Sequence, residues 1–126
     1  MNPQRLLLVD DDAAIVAVVR RYFDGRGWQV ETCLRAEDAL SQLESGAHFD
    51  ALICDLHFTP ARLSEGLEIV DRARRLRPAL ALLLFTGAAE PSVKAEAVRL
   101  GANAVITKPA PLASLHEAVL RAMKSA

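Results

Sequence analysis

Leu6-Leu7-Leu8-Val9-Asp10-Asp11-Asp12 is an apolar run that ends abruptly in three acids. Consecutive apolar residues of this kind read as a short strand buried on both faces. Ala13 to Asp24 follows with Ile15, Val19 and Phe23 at helical spacing, and Gly25 and Gly27 punctuate the return. The same alternation continues down the chain. Trp28 to Cys33 reads as a second strand, and Glu37 to Ser45 as a helix with Leu40 and Leu43 inward and Gly46 as its stop. Ala51-Leu52-Ile53-Cys54 is a third buried strand that ends at Asp55; a long polar loop then runs to Gly66, and a helix from Leu67 to Leu76 carries Leu67, Val70 and Ala73 on one face. Leu80 to Phe85 is a fourth strand, Ser92 to Leu100 a helix closed by Gly101, Ala104-Val105-Ile106 a fifth strand, and Leu112 to Met123 a last helix with Leu115 and Val119 inward. Five strands each followed by a helix imply parallel pairing with right-handed crossovers. The chain is too short for an eight-fold barrel. The expected fold is therefore α/β, a doubly wound five-stranded parallel sheet of (βα)5 type with helices on both faces.

The chain has 126 residues, the size of one ordinary domain spanning 1–126, and can bury a core without staples. Fifteen Lys and Arg nearly balance sixteen Asp and Glu, for a formal net charge of −1. That balance argues against direct nucleic-acid binding and against electrostatic membrane attachment. Cys33 and Cys54 sit in apolar segments without metal-ligand spacing, as reduced core residues of a cytoplasmic protein do. The N-terminal segment is neither a signal peptide nor a transmembrane helix, because three aspartates interrupt it.

In open parallel sheets, ligands bind beyond the carboxyl ends of the strands. The first strand ends in Asp10-Asp11-Asp12, the third in Asp55, the fourth in Thr86-Gly87 and the fifth in Thr107-Lys108-Pro109. Each has an ordinary explanation alone. An Asp before a helix is usually its N-cap, and Asp12 is expected to be one. A lone Asp after a strand is usually a turn residue. Independent turn chemistry has no reason, however, to place acids on two strands and a cation on another at the same edge. Mg²⁺ takes oxygen ligands at about 2.0–2.1 Å and keeps several waters, which a few carboxylates on neighbouring strands would suit. An aspartate can act as nucleophile and form an acyl phosphate, with cations on the phosphoryl oxygens.

Leu7-Leu8-Val9-Asp10-Asp11-Asp12, Phe49 to Leu56, Glu65-Gly66-Leu67-Glu68-Ile69-Val70, Thr86-Gly87, Gly101-Ala102 and Lys108-Pro109 resemble, in order and spacing, the response-regulator receiver domains of two-component signal transduction. The resemblance covers the whole chain. It implies strand order 2-1-3-4-5 and a Mg-dependent phosphoacceptor at Asp55. It implies a metal (Mg²⁺, which Mn²⁺ could replace) bound by Asp11, Asp55 and the main-chain carbonyl of His57, with Asp10 acting mainly through water. Thr86, the amides of Leu56 and Gly87, and Lys108 would meet the phosphoryl group. A cis Lys108–Pro109 peptide would aim the ammonium into the pocket. The implied partners are a sensor histidine kinase or histidine phosphotransfer protein as donor and a downstream protein as target. The implied role is that of a signalling phosphoacceptor that catalyses only its own phosphorylation and dephosphorylation.

Three features depart from the family. After Asp55 the chain has His57-Phe58-Thr59-Pro60 where relatives commonly place a Met-Pro pair, and Glu65-Gly66 comes late. Val105 stands where many relatives carry an aromatic switch residue; it reads either as a plain strand former or as a sign that Thr86 couples differently to the face of the last two helices and last strand. His57 is expected not to ligate through its ring, since Mg²⁺ prefers oxygen. His48 and His116 are expected at the surface, and Arg72, Arg74, Arg75 and Arg77 as a solvated face suited to a helix C-terminus.

Two other functions fit part of the pattern. Asp10 and Asp12 mimic the paired acids of haloacid-dehalogenase-type phosphohydrolases, but the chain lacks the length for a cap. A pseudo-receiver used only for protein contact would not need Asp10, Asp11, Asp55, Thr86 and Lys108 together. The chain stops just after its last helix, as a stand-alone regulator or an excised receiver would.

Overall fold

The structure, a computed structural model, describes residues 3–56, 63–87 and 90–124. Five strands alternate with five helices: β1 (Arg5–Val9), α1 (Ala13–Asp24), β2 (Gln29–Cys33), α2 (Ala36–Glu44), β3 (Ala51–Cys54), α3 (Leu63–Leu76), β4 (Ala81–Thr86), α4 (Pro91–Leu100), β5 (Ala104–Thr107) and α5 (Leu112–Lys124). The strands form one sheet in the order β2-β1-β3-β4-β5, and every adjacent pair is parallel. This is the expected doubly wound architecture.

Strand alternation divides the core into two layers. Leu6 and Leu8 of β1, Ala51 and Ile53 of β3, and Leu83 and Phe85 of β4 pack with Val16, Val19 and Phe23 of α1 and Leu115 and Val119 of α5. Leu7, Val9, Leu52, Cys54, Leu82 and Leu84 point the other way, onto Ala39 and Leu43 of α2, Ile69, Val70 and Ala73 of α3, and Ala97 of α4. Within the central strands, Leu6 to Val9, Ala51 to Cys54 and Ala81 to Phe85 are apolar without a break because both faces are covered.

Three local readings are revised. The third helix begins at Leu63, before Gly66 rather than after it. Gly66 lies inside the first turns because α3 presses on the chain leaving β3: a Cβ there would lie 2.5 Å from the Leu56 Cα and carbonyl oxygen. His116 is not a surface residue; it is half-buried, and its Nε2 accepts from the Trp28 indole N–H at 3.2 Å. Arg74 is not merely solvated. Its guanidinium donates to the carbonyls of Gly101 (2.8 Å), Pro78 (2.8 Å) and Leu80 (2.8 Å), and so ties α3 to the starts of β4 and β5. Arg77 likewise reaches the Leu43 carbonyl. Arg72 and Arg75 are exposed and paired with Glu44 and Asp71. His48 is exposed beside Asp50.

Candidate functional site

Register assembles the site. Val9 of β1 lies opposite Cys54 of β3, so the next residues, Asp10 and Asp55, emerge side by side. The Asp55 amide donates to the Val9 carbonyl at 2.9 Å, which carries the pairing to the strand end. On the far side, Thr86 lies opposite Thr107. The Lys108 amide donates to the Thr86 carbonyl at 2.8 Å, and the Lys108–Pro109 peptide is cis.

The side chains converge. Lys108 Nζ donates to Asp10 Oδ2 at 2.7 Å and lies 3.7 Å from Asp55 Oδ2. Asp10 Oδ1 accepts from the Asp12 amide at 2.9 Å. Asp10 and Asp55 are almost fully buried, at 2% and 7% exposure, whereas Asp11 is exposed. One carboxylate oxygen from each of Asp10, Asp11 and Asp55 lies within 4.8 Å of the others, a spacing that one cation could span. Asp12 does a different job. Its carboxylate accepts from the Ala14 and Ile15 amides at 3.0 and 3.3 Å and caps α1. That engagement removes it from a phosphohydrolase-like acid pair with Asp10.

Burial raises the Asp10 carboxyl above its ordinary value; the Lys108 hydrogen bond and the Asp12 amide pull it back only in part. Asp11 is raised too, first by desolvation and then by the nearby Asp55 charge. For Asp10 and Asp11, desolvation rather than mutual repulsion is the larger cause. The neighbouring thiols are inert: burial pushes Cys33 up to about 11 and Cys54 well above its ordinary value.

Among the described residues, two buried side-chain oxygens have no hydrogen-bond partner, Asp55 Oδ1 and Thr86 Oγ1. Buried polar atoms are almost always satisfied, so an orphaned pair at one sheet edge needs an explanation. An oxygen-seeking cation on Asp55 and an oxyanion in front of Thr86 would supply both missing partners. The donor set is all oxygen, as Mg²⁺ prefers. The residues present fit a divalent cation with a phosphoryl group beside it.

Leu56 follows Asp55 and is fully buried; Gly87 follows Thr86 and is exposed. His57, and with it the expected carbonyl ligand, lies outside the described residues, as do Phe58, Thr59 and Pro60. Two contacts were not foreseen from the sequence. Lys108 Nζ sits 5.5 Å from the Phe85 ring centroid, a cation–π contact. Lys94 of α4 donates to the Thr107 hydroxyl at 3.3 Å, directly beside Lys108. Neither has a local sequence signal, since each joins separate elements.

The family model for the response regulator receiver domain matches residues 6–120. The chain belongs to that family. Among curated relatives, the photosynthetic apparatus regulatory protein RegA of Rhodobacter capsulatus is 31% identical over 94% of this chain and 62% of its own length. Among solved structures, a CheY-like receiver domain protein from Methanospirillum hungatei aligns with TM-score 0.89 and 27% identity, over 98% of this chain and 95% of that one. A response regulator from Burkholderia pseudomallei, solved with a phosphorylated aspartic acid and a calcium ion, aligns with TM-score 0.85 and 25% identity over 97% of this chain and 70% of that one. The chain spans between about a quarter and three-fifths of the length of the first curated relatives it matches. No described helix of this receiver is long and apolar enough to cross a membrane.

Proposed function

We propose that this receiver takes a phosphoryl group onto Asp55 from a phosphohistidine of a sensor histidine kinase or phosphotransfer protein, and passes the signal on by changing how it binds a downstream protein. The orphaned Asp55 Oδ1 is the observation that carries the reading, because it is a buried carboxylate oxygen with no hydrogen-bond partner among the described residues. In the transfer, that carboxylate attacks phosphorus, the P–N bond of the donor breaks, and the imidazole leaves and takes up a proton. The product is an acyl phosphate on Asp55.

The chain's residues divide the remaining work. Lys108 is already held by Asp10 within 3.7 Å of Asp55, so its charge is in place before the phosphoryl group arrives. Thr86 Oγ1 is a spare hydroxyl that can donate to a phosphoryl oxygen. The amides of Leu56 and Gly87 are the main-chain donors next to these two residues. Asp10, Asp11 and Asp55, with the His57 carbonyl, would hold Mg²⁺. When bound, Mg²⁺ would supply positive charge to the transferring phosphoryl oxygens. Taken together, the unused buried acceptor, the hydroxyl and the placed cation are what a phosphoacceptor needs and what a pure interaction module does not.

The test is acid-labile phosphate uptake from a small acyl-phosphate donor with Mg²⁺, read by intact and peptide mass spectrometry. One phosphate on the peptide containing Asp55 is expected, and none on Asp55→Asn. Equal uptake by Asp55→Asn would overturn the assignment.

A further inference from the structure

Trp28 is the chain's sole tryptophan, and its ring is almost fully buried at the entrance to β2. Its indole N–H donates to Nε2 of His116 on α5 at 3.2 Å. An indole nitrogen only donates, so His116 Nε2 has to be an unprotonated acceptor and the imidazole neutral. Aromatic rings enclose the pair. Phe23 meets the His116 ring edge-on at 5.2 Å and the Trp28 ring at 5.6 Å, and Tyr22 meets His116 at 6.2 Å. The cluster joins the end of α1, the start of β2 and the first half of α5.

Arg26, in the α1–β2 turn, stacks 3.5 Å over Tyr22 and repels a proton on His116, adding to the effect of burial. On α1, Arg20 and Asp24 lie 3.6 Å apart as an ion pair. On α5, the neighbouring Glu117 is paired with Arg121 at 2.8 Å.

We propose that the Trp28–His116 hydrogen bond is a proton-operated latch that fastens α5 to the α1–β2 junction, closed while His116 is neutral and opened when it is protonated. A proton added to Nε2 uses the lone pair that accepted the indole hydrogen. Two N–H donors then face each other, and the buried indole N–H loses its partner. A second cation also forms near Arg26. Acid therefore loosens α5, the helix that follows the cation-bearing Lys108 in the chain. The latch is separate from the phosphoacceptor reading and does not depend on it.

The test is a pH titration of the intact chain by ¹⁵N–¹H correlation spectroscopy. The single tryptophan contributes one indole cross-peak. It should shift on acidification with a midpoint below about 6.5, the ordinary histidine value. Amide protection factors across Leu115 to Val119 should fall by about five- to tenfold through the same range, the loss of roughly one hydrogen bond. His116→Gln retains an acceptor that does not titrate, so its indole peak should stay fixed, while His48→Gln should keep the transition. If His116→Gln does not fold, the wild-type titration alone decides. An indole peak that is static from pH 8 to 5 would overturn the latch. So would the same transition in His116→Gln, or a shift that appears only with collapse of all amide dispersion.

Discussion

Asp10 shows how the site is balanced at the residue scale. It is buried, its carboxyl is raised by desolvation, and Lys108 at 2.7 Å is its compensating charge. Lys108→Met should leave that carboxylate unpaired and destabilise the protein by about 3 kcal/mol at pH 7, the usual loss when one partner of a buried pair is removed. The deficit should shrink toward pH 4 as Asp10 becomes neutral, which urea titrations at both pH values would show. Asp11 tests the metal side. Its folded carboxyl lies above its unfolded value, so the folded state binds protons more readily. That contribution is fully present below the unfolded value of about 4 and is lost as pH rises through the folded one. Without metal at pH 7, Asp11→Asn should therefore melt higher than wild type. Mg²⁺ should stabilise wild type by about 2.7 kcal/mol at a hundredfold excess over Kd and Asp11→Asn by much less. Thermal melts in EDTA and in Mg²⁺ decide this; a wild type indifferent to Mg²⁺ would contradict the ligand assignment.

At the scale of elements, α3 and the segment leaving β3 depend on each other. Gly66 lets the helix backbone approach Leu56 so closely that a Cβ would lie 2.5 Å from its carbonyl oxygen. The residue displaced would be the one that follows Asp55. Gly66→Ala gains about 1 kcal/mol of helix propensity, but overpacking against backbone costs about 1–3 kcal/mol. Net destabilisation by up to about 2 kcal/mol is expected, together with slower phosphate uptake at Asp55. Denaturant unfolding and uptake rates on the same sample measure both. An unchanged uptake rate would mean that the Leu56 amide is not part of the phosphoryl site. Arg74 makes a comparable tie at the opposite edge, where Gly101 at φ 126° leaves room for its side chain.

For the whole molecule, two apolar layers hold the central sheet, and α4 is the helix least embedded in them, with Ala97 as its buried residue. β5 beside it is only half-buried, and its Thr107 accepts from Lys94 of α4. Val105 brings no ring to this seam; it packs as a half-buried aliphatic against the layer of α2, α3 and α4. If the face of α4, β5 and α5 is the output surface, phosphorylation at Asp55 should move amide shifts across Ser92 to Met123 in a two-dimensional NMR comparison. Shifts confined to the residues bordering Asp55 would exclude this face as the output.

Unbroken apolar runs in Leu6 to Val9, Ala51 to Cys54 and Leu80 to Phe85, each followed by a helical pattern, were enough to indicate a parallel sheet covered on both sides, because such strands have no solvent-facing positions. The acids, hydroxyl and lysine at the strand ends were legible for the same reason, since strand ends are local in sequence. Tertiary structure alone decided the rest. That Asp10 rather than Asp55 receives the short Lys108 bond depends on how β1, β3 and β5 meet across the sheet. That α3 starts before Gly66 depends on its contact with Leu56, and contact outweighs the breaking tendency of a single glycine. His116 carried no local signal of burial. Its place against Trp28 arises because α5 and the α1–β2 junction, 88 residues apart in the chain, share one apolar face of the sheet.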